Sequence, residues 1–265
     1  SNAAITRDNA AQMVWNALQA YEVEYKTDLV ADKDGKLSTQ VTVSDKVDGN
    51  FKKITLLRDK YDAWTDVGTL TSVKSNVITL TMNSSDKAAS DLVNDNGSVD
   101  FSKLSKDYSA LMGQKVKIIF KNGKTNDVLG VYATEDNTVY NTVMNAVEKD
   151  GSKIKFDGKS YSAESTIKVY VNGTRIAKAE GDSKKTDFTV DDFDDTTTET
   201  ASLLNGSRVV YGKDTTAVIH SVANRISADE VKFIDSNDND KIDTAIITTV
   251  DVVKATYVSS TEIVA

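Results

Sequence analysis

Eight Asn-Gly or Asp-Gly pairs punctuate the chain, at Asp34-Gly35, Asp48-Gly49, Asn96-Gly97, Asn122-Gly123, Asp150-Gly151, Asp157-Gly158, Asn172-Gly173 and Asn205-Gly206. Such pairs accept the positive φ angles of tight hairpin turns. Between them lie short β-branched runs: Gln40–Val43, Lys53–Leu57, Val77–Met82, Lys115–Phe120, Lys153–Phe156 and Ile167–Val171. Polar and apolar residues alternate along these runs, which predicts strands with one face on a core and one in water. The turn density favours antiparallel pairing over a sheet with long helical crossovers.

The expected fold is mainly β: small antiparallel domains, barrel- or sandwich-like, in series, behind one N-terminal amphipathic helix. With 265 residues, two compact units are the natural division. Residues 1–27 are expected to hold the helix, 28–136 a first β-rich domain and 137–265 a second. Short helices are expected at Asp86–Val93 and Ser105–Met112, the latter ahead of Gly113. The order of Val67–Leu70, Val77–Met82, a helical turn, Val116–Phe120 and Val128–Tyr132 suggests a small closed barrel. Further strands are expected at Arg208–Tyr211, Ala217–Ser221, Val231–Ile234 and Thr244–Val250. The run Val253–Val258 echoes Val67–Val73, as the start of another such barrel would.

The net charge of −8 and pI of about 4.8 argue against a nucleic-acid partner, because an acidic surface repels phosphate. With 0 Cys there is no disulfide framework, zinc-thiolate site or thiol nucleophile. No apolar run approaches the length of a membrane span, so none is expected. Ser1-Asn2-Ala3 matches the scar left by protease removal of an expression tag, which implies that any export signal lies outside this sequence.

The helix reads Ile5-Thr6-Arg7-Asp8-Asn9-Ala10-Ala11-Gln12-Met13-Val14-Trp15-Asn16-Ala17-Leu18. Thr6 is a good N-cap and Asp8 complements the dipole of the first turn. Ala11, Val14, Trp15 and Leu18 form one apolar stripe. This stretch resembles the closing helix of an S-layer homology repeat: Thr6-Arg7 matches the start of that family's Thr-Arg-Ala-Glu signature, and Asp8-Asn9 depart from its second half. In the family three such repeats bind secondary cell-wall polysaccharide, with the signature Arg in the site. One helix cannot rebuild that site, so Thr6 and Arg7 read as its relic, or simply as a solvated helix start.

The sequence resembles the region that follows the anchoring repeats of S-layer homology surface proteins. The resemblance implies an extracellular location on the cell wall of a Gram-positive-type bacterium, with the wall polysaccharide held through repeats outside this sequence. The function expected is structural and non-catalytic, as a stalk or surface-layer building unit capable of self-association. The alternative is a displayed adhesin or a module binding a glycan or a host protein. A surface glycoside hydrolase ranks last, because carboxylates are plentiful but no cleft lined with aromatic platforms is evident.

The most site-like motif is Asp235-Ser236-Asn237-Asp238-Asn239-Asp240-Lys241-Ile242-Asp243. Oxygen ligands at Asp235, Asn237, Asn239 and Asp243 occupy positions 1, 3, 5 and 9 of a calcium loop. Asp240 stands where the sharp turn needs Gly, and Ile246 where the bidentate Glu belongs. An Asp/Asn-rich hairpin tip explains the same letters. Calcium is therefore a possible ligand, with no cofactor required. Trp64 is a candidate glycan platform or, alternatively, a core anchor. The lone histidine, His220, has no evident triad partners in the sequence and reads as a structural or surface residue. The acidic run Asp191–Asp195, with Thr196–Thr198, reads as a solvated loop.

Overall fold

The computed structural model describes residues 5–90, 92, 97–180, 184–193, 207–211, 217–221, 229–249, 257–258 and 263–264. The chain is mainly β. Helix α1 (Arg7–Gln19) leads into a hairpin of β1 (Val23–Ala31) and β2 (Leu37–Asp45), then α2 (Leu56–Tyr61). Next come β3 (Ala63–Lys74), β4 (Val77–Thr81), α3 (Ser84–Ala89), β5 (Ser98–Ser102), β6 (Lys115–Lys121) and β7 (Val128–Ala133). The chain continues through β8 (Thr138–Val143), β9 (Glu148–Asp150), β10 (Lys153–Phe156), β11 (Lys159–Val171) and β12 (Thr174–Ile176). Short hairpins follow: β13 (Lys178–Glu180) with β14 (Lys184–Thr186), and β15 (Ser207–Tyr211) with β16 (Ala217–Ser221). The last elements are β17 (Glu230–Asp235), β18 (Ile242–Thr248), β19 (Tyr257–Val258) and β20 (Ile263–Val264).

Thr6 caps α1 as expected, its hydroxyl accepting from the Asn9 amide at 3.2 Å. The apolar stripe is only lightly used: Trp15 and Leu18 are half-buried, whereas Val14 is exposed. The expected strand at Lys53–Leu57 is corrected. Lys53 and Thr55 make isolated bridges to Val47 and Tyr21, and the chain then turns into α2. Thr55 provides the reason: its hydroxyl accepts from the Arg58 amide and caps a helix, which ends where Asp62 adopts a left-handed conformation. Helix α3 starts ahead of the expected Asp86, because the Asn83 side chain caps it by accepting from the Asp86 amide at 2.8 Å.

The five-stranded sheet has the order β5-β4-β3-β6-β7, all antiparallel. The strands β3, β4 and β5 pair in chain order, and β6 returns to lie beside β3; this is the strand order of a Greek key. A single 3-10 turn, Ser109–Leu111, replaces the longer helix expected at Ser105–Met112. The sheet curls without a closing ladder between β5 and β7; the Ser102 amide donates to Thr125 O at 2.8 Å across the gap. Along β6, Val116, Ile118 and Phe120 point into the core, and Lys115, Lys117 and Ile119 point out.

The seven-stranded sheet runs β8-β17-β18-β11-β10-β9, with β12 also on β11. Its β11–β18 ladder is parallel, so the antiparallel expectation does not extend to this pair. One face carries Ile167, Val169, Val231, Phe233, Ala245 and Ile247 into a core of its own. From the other face Tyr170 and Ile246 pack into the core of the five-stranded sheet. Gly113 sits at the junction with φ +78°, and a Cβ there would lie 2.9 Å from Thr244 and 3.0 Å from Ile234. Only glycine allows both that angle and that approach.

Candidate functional site

Asp235 ends β17 and is buried; Asp243 lies on β18 beside it. The Asp235 carboxylate accepts from the amides of Asn237 at 3.1 Å and Asn239 at 3.5 Å. The Asp243 carboxylate accepts from the Ser236 amide and hydroxyl at 2.8 and 2.7 Å and from the Thr244 hydroxyl at 2.6 Å. The side chain of Asn239 reaches out to Glu164, donating at 2.6 Å, and accepts from the Lys241 amide at 3.0 Å. Asp238 and Asp240 take left-handed φ angles of 55° and 60°. The acids staple a tight β17–β18 connection by accepting local donors. Among the described residues no three His, Cys, Asp or Glu side chains converge as a metal-binding group.

Two half-buried tyrosines flank this loop. Tyr140 and Tyr161 lie 4.6 Å apart, and Phe156 stacks on Tyr161 at 4.3 Å. The Tyr140 hydroxyl is pushed up in pKa by desolvation, then by Tyr161, Asp235 and Asp240 nearby. Beyond them Phe233 meets Phe193, which lies in the acidic Asp191–Asp195 run. That run is not simply a solvated loop: Val190–Phe193 form a 3-10 turn, Phe193 is fully buried, and the Asp192 carboxylate accepts from the Thr189 amide at 2.7 Å. Asp194, Asp195 and Thr196–Thr198 lie outside the described residues, as do Ser1–Ala3, Val93, Asn96, Asn205-Gly206, Val250 and Val253–Thr256. His220 is in β16, opposite Arg208.

Trp64 is half-buried on β3. The Arg58 guanidinium lies 3.8 Å from its ring centroid, its indole N–H donates to Asp62 at 3.4 Å, and Gly123 closes against the ring. A sugar would have to displace Arg58 to stack on that face. Arg58 is itself tied to Asp48 at 2.9 Å. Arg7 opens α1 as an exposed residue.

Sequence reasoning missed an ionic knot at the base of the β1–β2 hairpin. Lys46 pairs with Glu22 at 3.0 Å and Asp59 at 2.5 Å, and Lys60 pairs with Asp59 at 2.7 Å. These lysines hold the Asp59 carboxyl well below its usual range. Asp48 is lowered chiefly by the Lys52 and Asn50 amides that its carboxylate accepts. Also missed was an aromatic notch of about 660 Å³ between α1 and the outer face of the five-stranded sheet. There Trp15 meets Tyr132 edge-on at 5.4 Å, and Lys117 donates to Gln19. The Tyr132 hydroxyl is buried without a hydrogen-bond partner among the described residues, and burial pushes its pKa up to about 12. Charges far apart in sequence gave no spacing signal for the knot.

No family model, curated protein or solved structure matches this chain. No helix among the described residues is long and apolar enough to cross a membrane.

Proposed function

We propose that this chain is a structural, non-catalytic segment of a wall-anchored bacterial surface protein, a stalk or a building unit of a surface layer. The Thr6-Arg7 helix start, which resembles the S-layer homology signature, supports the surface location. The observation that carries the structural role is the coupling of two β units in series. The first sheet ends at Ala133 and the next begins at Thr138. Gly113 fits against the second sheet, while Tyr170 and Ile246 reach back into the first core. Load applied along such a chain is shared by ladder hydrogen bonds and by a packed junction rather than by a flexible linker. The wall polysaccharide would be held by repeats elsewhere in the parent protein, and copies would associate laterally. Antibodies against this chain should find the parent protein in the wall fraction of its cells, and release it when wall polysaccharide is stripped. Recovery in the cytosolic fraction would refute the proposal.

Glycan binding is the second reading, favoured by the Trp15–Tyr132 notch. An aromatic wall lined also by the polar residues Gln12, Thr134 and Glu135 is the combination a sugar ring can use. Quenching of tryptophan fluorescence by wall-derived oligosaccharides, lost in Trp15→Ala, is the expected sign; quenching retained in that variant excludes the notch.

A further inference from the structure

The β1–β2 ribbon stands apart from both cores. All residues of its two nine-residue strands are exposed. Its base is fixed by the Lys46 knot and by backbone bonds from Glu22 to Ile54 and from Lys46 to Glu22, so it projects as a held arm. The register sorts its side chains by chemistry. Val23, Tyr25, Thr27, Leu29 and Ala31 share one face with Leu37, Thr39, Val41 and Val43; Glu24, Lys26, Asp28 and Val30 share the other, mostly polar, with Ser38, Gln40, Thr42 and Ser44. On the apolar face Tyr25 and Leu29 are 71% and 72% exposed, Leu37 64%, and Val41 and Val43 58% each. A two-stranded ribbon alone is marginal in water, and gains stability when its apolar face is covered.

We propose that this face is the contact between two copies of the chain, with two ribbons packing face to face about a twofold axis as a four-stranded, two-layer sandwich. This deepens the lateral association proposed above by giving it a surface, and rests on that reading for the partner's identity. Three observations favour a second copy. The only charge on the apolar face is Asp45, at the base, and Lys53 already pairs with it at 2.8 Å. The face therefore offers nothing that selects a charged partner, and a mainly apolar strip with two neutral threonines at its middle can pack on its own copy, as an isologous interface requires. The size sets the strength: nine residues per strand and two strands about 4.8 Å apart make a strip about 30 Å long and about 10 Å wide, about 300 Å² in projection per copy, so the contact is a small, weak one that forms with rising concentration. Finally, the net charge of −8 opposes association, but Glu24 and Asp28 lie on the outward face beside Lys26, so pairing leaves them in water.

Sedimentation equilibrium on the whole chain, from about 1 to about 200 µM, should show a monomer–dimer equilibrium. Leu29→Asp combined with Val41→Asp places four carboxylates in the contact and should weaken the dimer by at least about a hundredfold. Thr42→Asp, on the polar face, should leave it unchanged. An unaltered near-ultraviolet circular dichroism spectrum shows that both cores survive in the double variant. Because the chain has 0 Cys, Thr27→Cys at the centre of the apolar face gives a clean probe. A bismaleimide spanning about 10 Å, the separation of packed sheets, should link Thr27→Cys into dimers and leave Lys26→Cys monomeric. A wild-type chain that is monomeric throughout overturns the interface together with the lateral-association reading. A dimer that tolerates the double variant, or that links equally through Lys26→Cys, overturns the ribbon alone and leaves association standing.

Discussion

Phe51 occupies a position built for glycine. The turn at Asp48–Lys52 repeats the turn at Asp32–Lys36 bond for bond. In each, the Asp amide donates to the Lys carbonyl, at 2.9 and 3.0 Å, and the fourth residue's amide donates back to the Asp carbonyl at 3.0 Å. Each Asp carboxylate also accepts two amides, from Asn50 and Lys52 in one turn and from Asp34 and Lys36 in the other. The fourth residue is Gly35 at φ 76° in the first turn and Phe51 at φ 62° in the second. A left-handed conformation costs a side-chain-bearing residue about 1–2 kcal/mol. Phe51 is 88% exposed, so removing its ring forfeits almost no burial. Phe51→Gly should therefore stabilise the chain by about 0.5–1 kcal/mol, after the extra chain entropy of glycine offsets part of the relief. For a chain of this size that is a rise in Tm of roughly 1–4 °C. Urea unfolding followed by tryptophan fluorescence suits the test, because Arg58 both stacks on Trp64 and pairs with Asp48. A midpoint that falls in Phe51→Gly would refute the strain argument and mark the ring as packed.

At the junction, Gly113→Ala introduces both a disfavoured φ and a contact 2.9 Å from Thr244, and should destabilise by at least about 2 kcal/mol in a thermal melt; an unchanged Tm would mean that the two sheets do not press together there. The acid side of the stability profile follows from Asp59 and Asp48, whose folded pKa values are depressed. Their contribution is complete above the unfolded carboxylate value near 3.8 and is lost as pH falls through the lower folded values, so Lys46→Met should flatten the acid limb below about pH 4. In the β17–β18 loop, Asp235→Ala leaves two amides without their acceptor and should cost about 1–3 kcal/mol in the absence of metal, read by urea unfolding. Because these carboxylates already accept local donors, calcium at millimolar concentration should leave the Tm unchanged; a rise that Asp235→Ala abolishes would instead establish a metal loop, worth roughly 2.7 kcal/mol at a hundredfold excess over Kd.

The turn chemistry was legible because it is local. Asn122-Gly123, Asp157-Gly158 and Asn172-Gly173 all take two consecutive positive φ angles, the conformation expected of these pairs. Strands such as β6, in which Val116, Ile118 and Phe120 face inward, were legible for the same reason. The helix α2 was not, since Ile54-Thr55-Leu56-Leu57 satisfies a strand pattern until Thr55 is recognised as a cap. The parallel β11–β18 ladder joins segments about seventy residues apart, and no periodicity encodes that pairing. Alternation also implies that an apolar face is covered, and along β1 and β2 nothing within the described residues of a single copy covers it. Trp64 shows the limit for sites: its ring is visible in the sequence, but the guanidinium on it comes from α2, whose first residues carry a strand pattern.

The surface-protein account is tested most directly by brief trypsin treatment of intact cells that carry the parent protein. Lys33 and Lys36, exposed in the β1–β2 turn, should be cut, releasing peptides into the medium while a cytosolic marker stays inside. Peptides that appear only after lysis would contradict the account.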